Sequence, residues 1–136
     1  MLVRWEEKYR VGNEQVDQEH QYLFQLINEF YDAFIEKRDR ALVLGLLNRL
    51  VDYAQTHFTN EEALMKAAGY PALDEHCAHH EKLFEQIFLL HAKLNDRALN
   101  PTHDTLQFLK GWLGDHIVHE DILFGALLKN QSAADR

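Results

Sequence analysis

One cysteine, two prolines and no long apolar run occur among the 136 residues, and each scarcity excludes something. Cys77 has no second thiol in the chain, so an internal disulfide is impossible and the composition suits a reducing compartment. No stretch is long and apolar enough to span a bilayer. The first ten residues carry Arg4, Glu6, Glu7, Lys8 and Arg10 and lack the apolar core of an export signal. Positive charge is also short: 14 Lys and Arg against 22 Asp and Glu leave a formal charge of -8, which repels nucleic acid and anionic membranes. These absences predict a cytoplasmic protein with neither a membrane span nor a nucleic-acid partner.

With so little proline, the chain is free to build long helices. Pro71 follows Gly69 and Pro101 follows Asn100, and each pair marks one helix stopping and another starting. Together with the polar run at 36–40, these breaks divide the sequence into four segments of helical apolar spacing. The first, about 16–37, carries Val16, His20, Leu23, Phe24, Ile27, Tyr31 and Phe34 on one stripe. The second, about 39–68, carries Val43, Leu46, Leu50, Ala54, His57, Glu61, Leu64 and Ala68. The third, about 73–95, carries Leu73, His76, His80, Leu83, Ile87, Leu90 and Leu94. The fourth, about 102–128, carries Leu106, Leu109, Trp112, Leu113 and His116, after which either Leu123 with Leu127 or Phe124 with Leu128 can face inward. No repeat or linker suggests a second domain. A single domain over 1–136 is expected, with an N-terminal arm at 1–15, a bundle at 16–128 and a tail at 129–136.

Short connections between long helices make sequential neighbours antiparallel, so the expected fold is all-α: an up-down-up-down antiparallel four-helix bundle. That topology brings the start of the first and third helices to the same end as the finish of the second and fourth. His20, His57 with Glu61, His76 with His80, and His116 therefore share one layer. The pairs His57/Glu61 and His76/His80 are each four residues apart and project side by side. A lone histidine on an apolar stripe is more often a hydrogen-bonded core residue than a ligand, and a lone glutamate is more often solvated. A whole buried layer of such groups is another matter. Poorly paired, each costs roughly 1–3 kcal/mol against a total stability of roughly 5–15 kcal/mol.

A metal removes that conflict, and imidazole mixed with carboxylate is the ligand set of iron and its neighbours. A second carboxylate comes from the fourth helix, where Glu120 lies four residues after His116 and Asp121 five. A regular helix turns Glu120 inward, whereas a one-residue π-bulge turns Asp121 inward. His79, His91, His103 and His119 lie off the stripe or far from the layer and are left out, and Cys77 is read as a packing residue.

The ordered motifs then carry a resemblance. Trp5 and Val11-Gly12, Asp17-Gln18-Glu19-His20, His57-Phe58-Thr59-Asn60-Glu61-Glu62, Gly69-Tyr70-Pro71, His76-Cys77-Ala78-His79-His80, and Trp112-Leu113 leading to His116-Ile117-Val118-His119-Glu120-Asp121 resemble the hemerythrins, specifically the single-domain bacteriohemerythrins, from about Trp5 to about Leu128. The resemblance implies two irons and selects Asp121 over Glu120. His76, His80 and His116 would hold one iron, and His20 and His57 the other. Glu61, Asp121 and an oxo or hydroxo oxygen would bridge the two, leaving the second iron one ligand short. It further implies an oxygen pocket of Leu23, Phe58, Trp112, Leu113 and Ile117. None of these supplies a general acid or base, so reversible dioxygen binding is expected rather than catalysis. The expected role is storage, transport or delivery to an oxygen-consuming enzyme. The alternatives are an oxygen or redox sensor acting through a partner, and a di-iron oxidase or scavenger of nitric oxide or peroxide.

Overall fold

The computed structural model describes residues 2–96 and 103–134, with side chains at 2–96 and 107–128. Helix α1 spans Glu14–Ile35 and begins where the Asn13 side chain accepts a hydrogen bond from the Val16 amide at 3.0 Å, satisfying one of the free amides of a first turn. Helix α2 spans Arg40–Ala68 and stops at Gly69, whose φ of 70° lies in the left-handed region. The Tyr70 amide then reaches back to the Met65 carbonyl at 3.0 Å, closing the helix end. Helix α3 spans Leu73–Asn95. The fourth helix of the bundle is composite: α4 at His103–Trp112, α5 at Gly114–His116, a π-helical turn at Ile117–Asp121, and α6 at Ile122–Ala134. The four helices pack antiparallel, as the spacing predicts. None among the described residues is long and apolar enough to cross a membrane.

The arm lies along the bundle instead of leaving it. Asn28 accepts from the Leu2 and Val3 amides at 2.9 Å each and donates to the Val3 carbonyl at 2.8 Å. Trp5 and Tyr9 place their rings edge-on to Phe24, with centroids 5.6 and 5.1 Å away. The Val11 and Gly12 amides donate to the two Asp17 oxygens at 2.8 and 3.2 Å.

The core follows most of the expected stripes and widens two of them. Leu26, Phe30 and Ala33 are buried on α1, and Leu47, Val51 and Met65 on α2, beyond the single stripes read from spacing. The reason on α1 is that it packs against both α2 and the arm, so more of its circumference is covered. Tyr31, Phe34, Val43, Leu46, Leu64, Ala68, Leu73 and Leu83 are only half-buried. In the fourth helix the π turn chooses between the two phases left open: Phe124 is buried and Leu123 is 58% exposed. The expected break at Asn100-Pro101 and the side chains of His103, Leu106 and the tail at 129–136 lie outside the described residues. The backbone of α6 continues to Ala134, past the expected bundle limit at 128.

Candidate metal centre

The bundle's four helices each send donors to one buried layer. His20 comes from α1, His57 and Glu61 from α2, His76 and His80 from α3, His116 from α5 and Asp121 from the end of the π turn, and all seven are buried. Each carboxylate divides its two oxygens between two sets of imidazoles. Glu61 Oε1 lies 2.9 Å from His76 Nε2 and 3.2 Å from His80 Nε2. Its other oxygen, Oε2, lies 3.2 Å from His57 Nε2 and 3.4 Å from His20 Nε2. Asp121 does the same, with Oδ1 at 2.8 Å from His76 Nε2 and 3.0 Å from His116 Nε2, and Oδ2 at 3.1 Å from His20 Nε2. The donors thus form two adjoining groups that share both carboxylates: five residues with His76, His80 and His116, and four with His20 and His57.

The π turn is what delivers Asp121. It gives this stretch a wider turn than a regular helix, so the fifth residue after His116 faces the layer. Glu120 is turned outward, its carboxylate 3.6 Å from the exposed imidazole of His79. Neither it nor His79, His91 or His119 joins the two donor groups.

Close approach has not made these atoms good hydrogen-bond partners. His20 Nε2, His57 Nε2, His80 Nε2, Glu61 Oε2 and both Asp121 oxygens are buried without an aligned hydrogen bond, although each has a neighbour of opposite character within 3.4 Å. Buried polar atoms left this way are costly. Nitrogens and oxygens that lie close without pointing at one another fit a cation between them, and five imidazoles with two carboxylates suit a transition metal of borderline softness. The cluster is a histidine–carboxylate metal site.

Electrostatics in the metal-free protein are those of a charge-balanced cluster. Burial alone would lower His20 and His76, but the close, negatively charged carboxylates of Asp121 and Glu61 prevail and raise both to about 9. Burial would raise the two carboxylates, and Glu61 adds its own repulsion at Asp121, yet the surrounding histidines hold both below the ordinary range. At His80 burial wins, and the imidazole is shifted down. Cys77 stays out: burial and the adjacent Glu62 push its thiol up to about 11, so it offers no thiolate.

The expected pocket residues, Leu23, Phe58, Trp112, Leu113 and Ile117, are all buried in the apolar core that continues from this layer. Phe58 touches the cluster directly, its ring stacked on His80 with centroids 4.2 Å apart. The Trp112 indole N–H is committed to the Leu83 carbonyl at 3.0 Å. Spacing gave no hint of Glu19 as a supporting residue. Its Oε1 accepts from His57 Nδ1 at 2.7 Å and its Oε2 from Asn60 at 3.2 Å, across 38 and 41 residues of sequence, a separation that no local pattern reveals.

Comparison with known proteins agrees with this geometry. Residues 11–127 match the family model described as the hemerythrin HHE cation binding domain. The chain is 31% identical over 112 residues to the bacteriohemerythrin of Methylococcus capsulatus, covering 82% of this chain and 85% of that one. It is 30% identical over 129 residues to the bacteriohemerythrin of Stenotrophomonas maltophilia, covering 94% and 82%. Among solved structures, a wild-type hemerythrin crystal structure superposes with a TM-score of 0.86 at 29% identity, over 94% of this chain and 98% of that one. A family model matching residues 11–127, with relatives covered over most of their length, leads to one conclusion: the chain belongs to the hemerythrin family.

Proposed function

We propose that the chain binds dioxygen reversibly at a non-haem di-iron centre formed by His20, His57, Glu61, His76, His80, His116 and Asp121. The observation that carries this reading is the unequal division of donors, five residues in one half and four in the other. The richer half would surround a metal with three histidines, while the poorer half would leave a position for a small ligand. When bound, an iron pair supplies reversible two-electron chemistry toward dioxygen.

The chain's own contribution is shape and dryness. Leu23, Phe58, Leu113 and Ile117 offer no charge or proton donor, and the one polar hydrogen in the wall, on Trp112, is already bonded to Leu83. Such a wall admits a small apolar gas and keeps water out, and it lacks the positioned acid or base that turnover requires. It supports a carrier or store in preference to an oxidase or scavenger. Names of the relatives, bacteriohemerythrin and hemerythrin, point the same way.

The test is an anaerobic ferrous sample taken through oxygenation and removal of the gas while its spectrum is followed. Return of the starting spectrum, with two irons per chain by elemental analysis, supports the proposal. Catalytic consumption of oxygen would replace it with the enzyme reading, and one zinc per chain with no iron after reconstitution would sink the di-iron assignment.

A further inference from the structure

The outward nitrogens of the cluster's histidines are not treated alike. His57 Nδ1–H donates to Glu19 Oε1 at 2.7 Å, whereas His20 Nδ1 and His80 Nδ1 are buried without a hydrogen-bond partner. Glu62 stops 3.6 Å short of His80 Nδ1. Glu19 is also fixed from behind. Its second oxygen accepts from Asn60 Nδ2 and Gln15 Nε2 at 3.2 Å each, one donor from α2 and one from the preceding turn of α1. The carboxylate is mostly covered, with 13% of its side chain exposed, against 0% for His57.

An imidazole that keeps its proton on Nδ1 presents a lone pair at Nε2, and an anion fixed on that proton raises the electron density at the far nitrogen. His57 Nε2 is the atom that faces the shared carboxylate Glu61 in the half with only two histidines. We propose that Glu19 is a positioning residue for that half: it locks His57 in the Nδ1–H form, aims Nε2 inward and strengthens it as a donor, offsetting the missing third histidine. The assignment rests on the reading that two metals divide the seven donors between them. Gln15 and Asn60 extend the device, because they prevent Glu19 from swinging out to solvent.

The support is one-sided, so its removal should be felt by one metal and not by both. Glu19→Ala removes the acceptor and the charge, whereas Glu19→Gln keeps an acceptor oxygen and loses only the charge. Anaerobic ferrous protein, fully loaded, is challenged with a ferrous chelator and the iron remaining per chain is followed with time. In Glu19→Ala one iron should leave about 10–100-fold faster than in the parent, as expected for loss of a histidine's outer partner, while the second leaves at the parental rate. Glu19→Gln should fall between, and Asn60→Ala should accelerate the same single iron to a smaller extent. Circular dichroism of the metal-free variants checks that the helices persist. Equal acceleration of both irons would make Glu19 merely structural, and parental release of both would remove it from the centre; either overturns the proposal. A parent that never holds two irons fails the di-iron reading itself, a different result from a parent with two irons and variants that behave like it.

Discussion

Gly125 lies so close to Val11 that a Cβ on it would sit 2.0 Å from the Val11 carbonyl oxygen. The arm cannot easily yield, because the Val11 amide is held by Asp17. Gly125→Ala should therefore push the arm off α6 and cost about 1–3 kcal/mol, the usual range for overfilling a packed contact. Gly45→Ala should do the opposite. It is exposed, inside α2, with nothing within 4 Å of the added carbon, so alanine should stabilise the helix by about 0.5–1 kcal/mol. Urea midpoints that move in the same direction for the two variants would contradict this account.

Asp121 and Glu120 should respond differently to removal. Asp121 is buried between His20, His76 and His116, while Glu120 faces outward toward His79. Asp121→Ala is expected to lose most of its iron and Glu120→Ala to keep it. Elemental analysis of the two purified variants decides, and the reverse pattern would mean that the helix is regular in solution.

Without metal, stability should depend on pH in a defined direction. His20 and His76 are raised from 6.5 to about 9 in the folded protein, so their contribution is complete below pH 6.5 and is lost as pH rises through 9. Glu61 and Asp121 are held below their ordinary values of 4.5 and 3.8, so their contribution is present above those values and fades as pH falls. The metal-free melting temperature should thus decline from about pH 6.5 toward pH 9, and fall again on the acid side, where His80, held down by burial, adds to the loss from Glu61 and Asp121. On the di-iron reading proposed above, iron would replace the protons, so the loaded protein should melt higher and lack that alkaline decline. Parallel melting curves of the two forms from pH 6.5 to 9 would refute the prediction.

The sequence made some of this legible for physical reasons. Four-residue spacing on α2 and α3 is a local property, so His57 with Glu61 and His76 with His80 could be read as inward pairs without a fold. Antiparallel topology then carried His20 and His116 to the same end. The choice between Asp121 and Glu120 was not local, since it depends on whether the backbone forms a wider turn, and there resemblance selected the residue that the geometry brings inward. The extra burial of Phe30 and Met65 was hidden because a stripe drawn for one neighbour ignores the second. Glu19 was invisible as a support for the same reason that Asn28 was: its partner lies on another segment.

Leu113→Ala tests the dry wall. Leu113 is fully buried, so truncation leaves a cavity without removing any cluster residue, and iron should stay near two per chain. Water reaching the centre should make the oxygenated protein decay to the ferric state faster than the parent. If the decay measured by absorbance keeps the parental rate while iron remains complete, Leu113 is not the barrier.

A π turn is a helix holding one residue too many, and that gives the fourth helix a particular tolerance to the loss of one residue. Losing one residue between Ile117 and Glu120 would restore a regular turn, place the aspartate four residues after His116 and keep it facing the layer, with the downstream residues in their present phase. Two different intervals therefore encode the same arrangement. An acidic residue four positions after the histidine on a regular helix, or five positions after it on a π turn, would face the same layer.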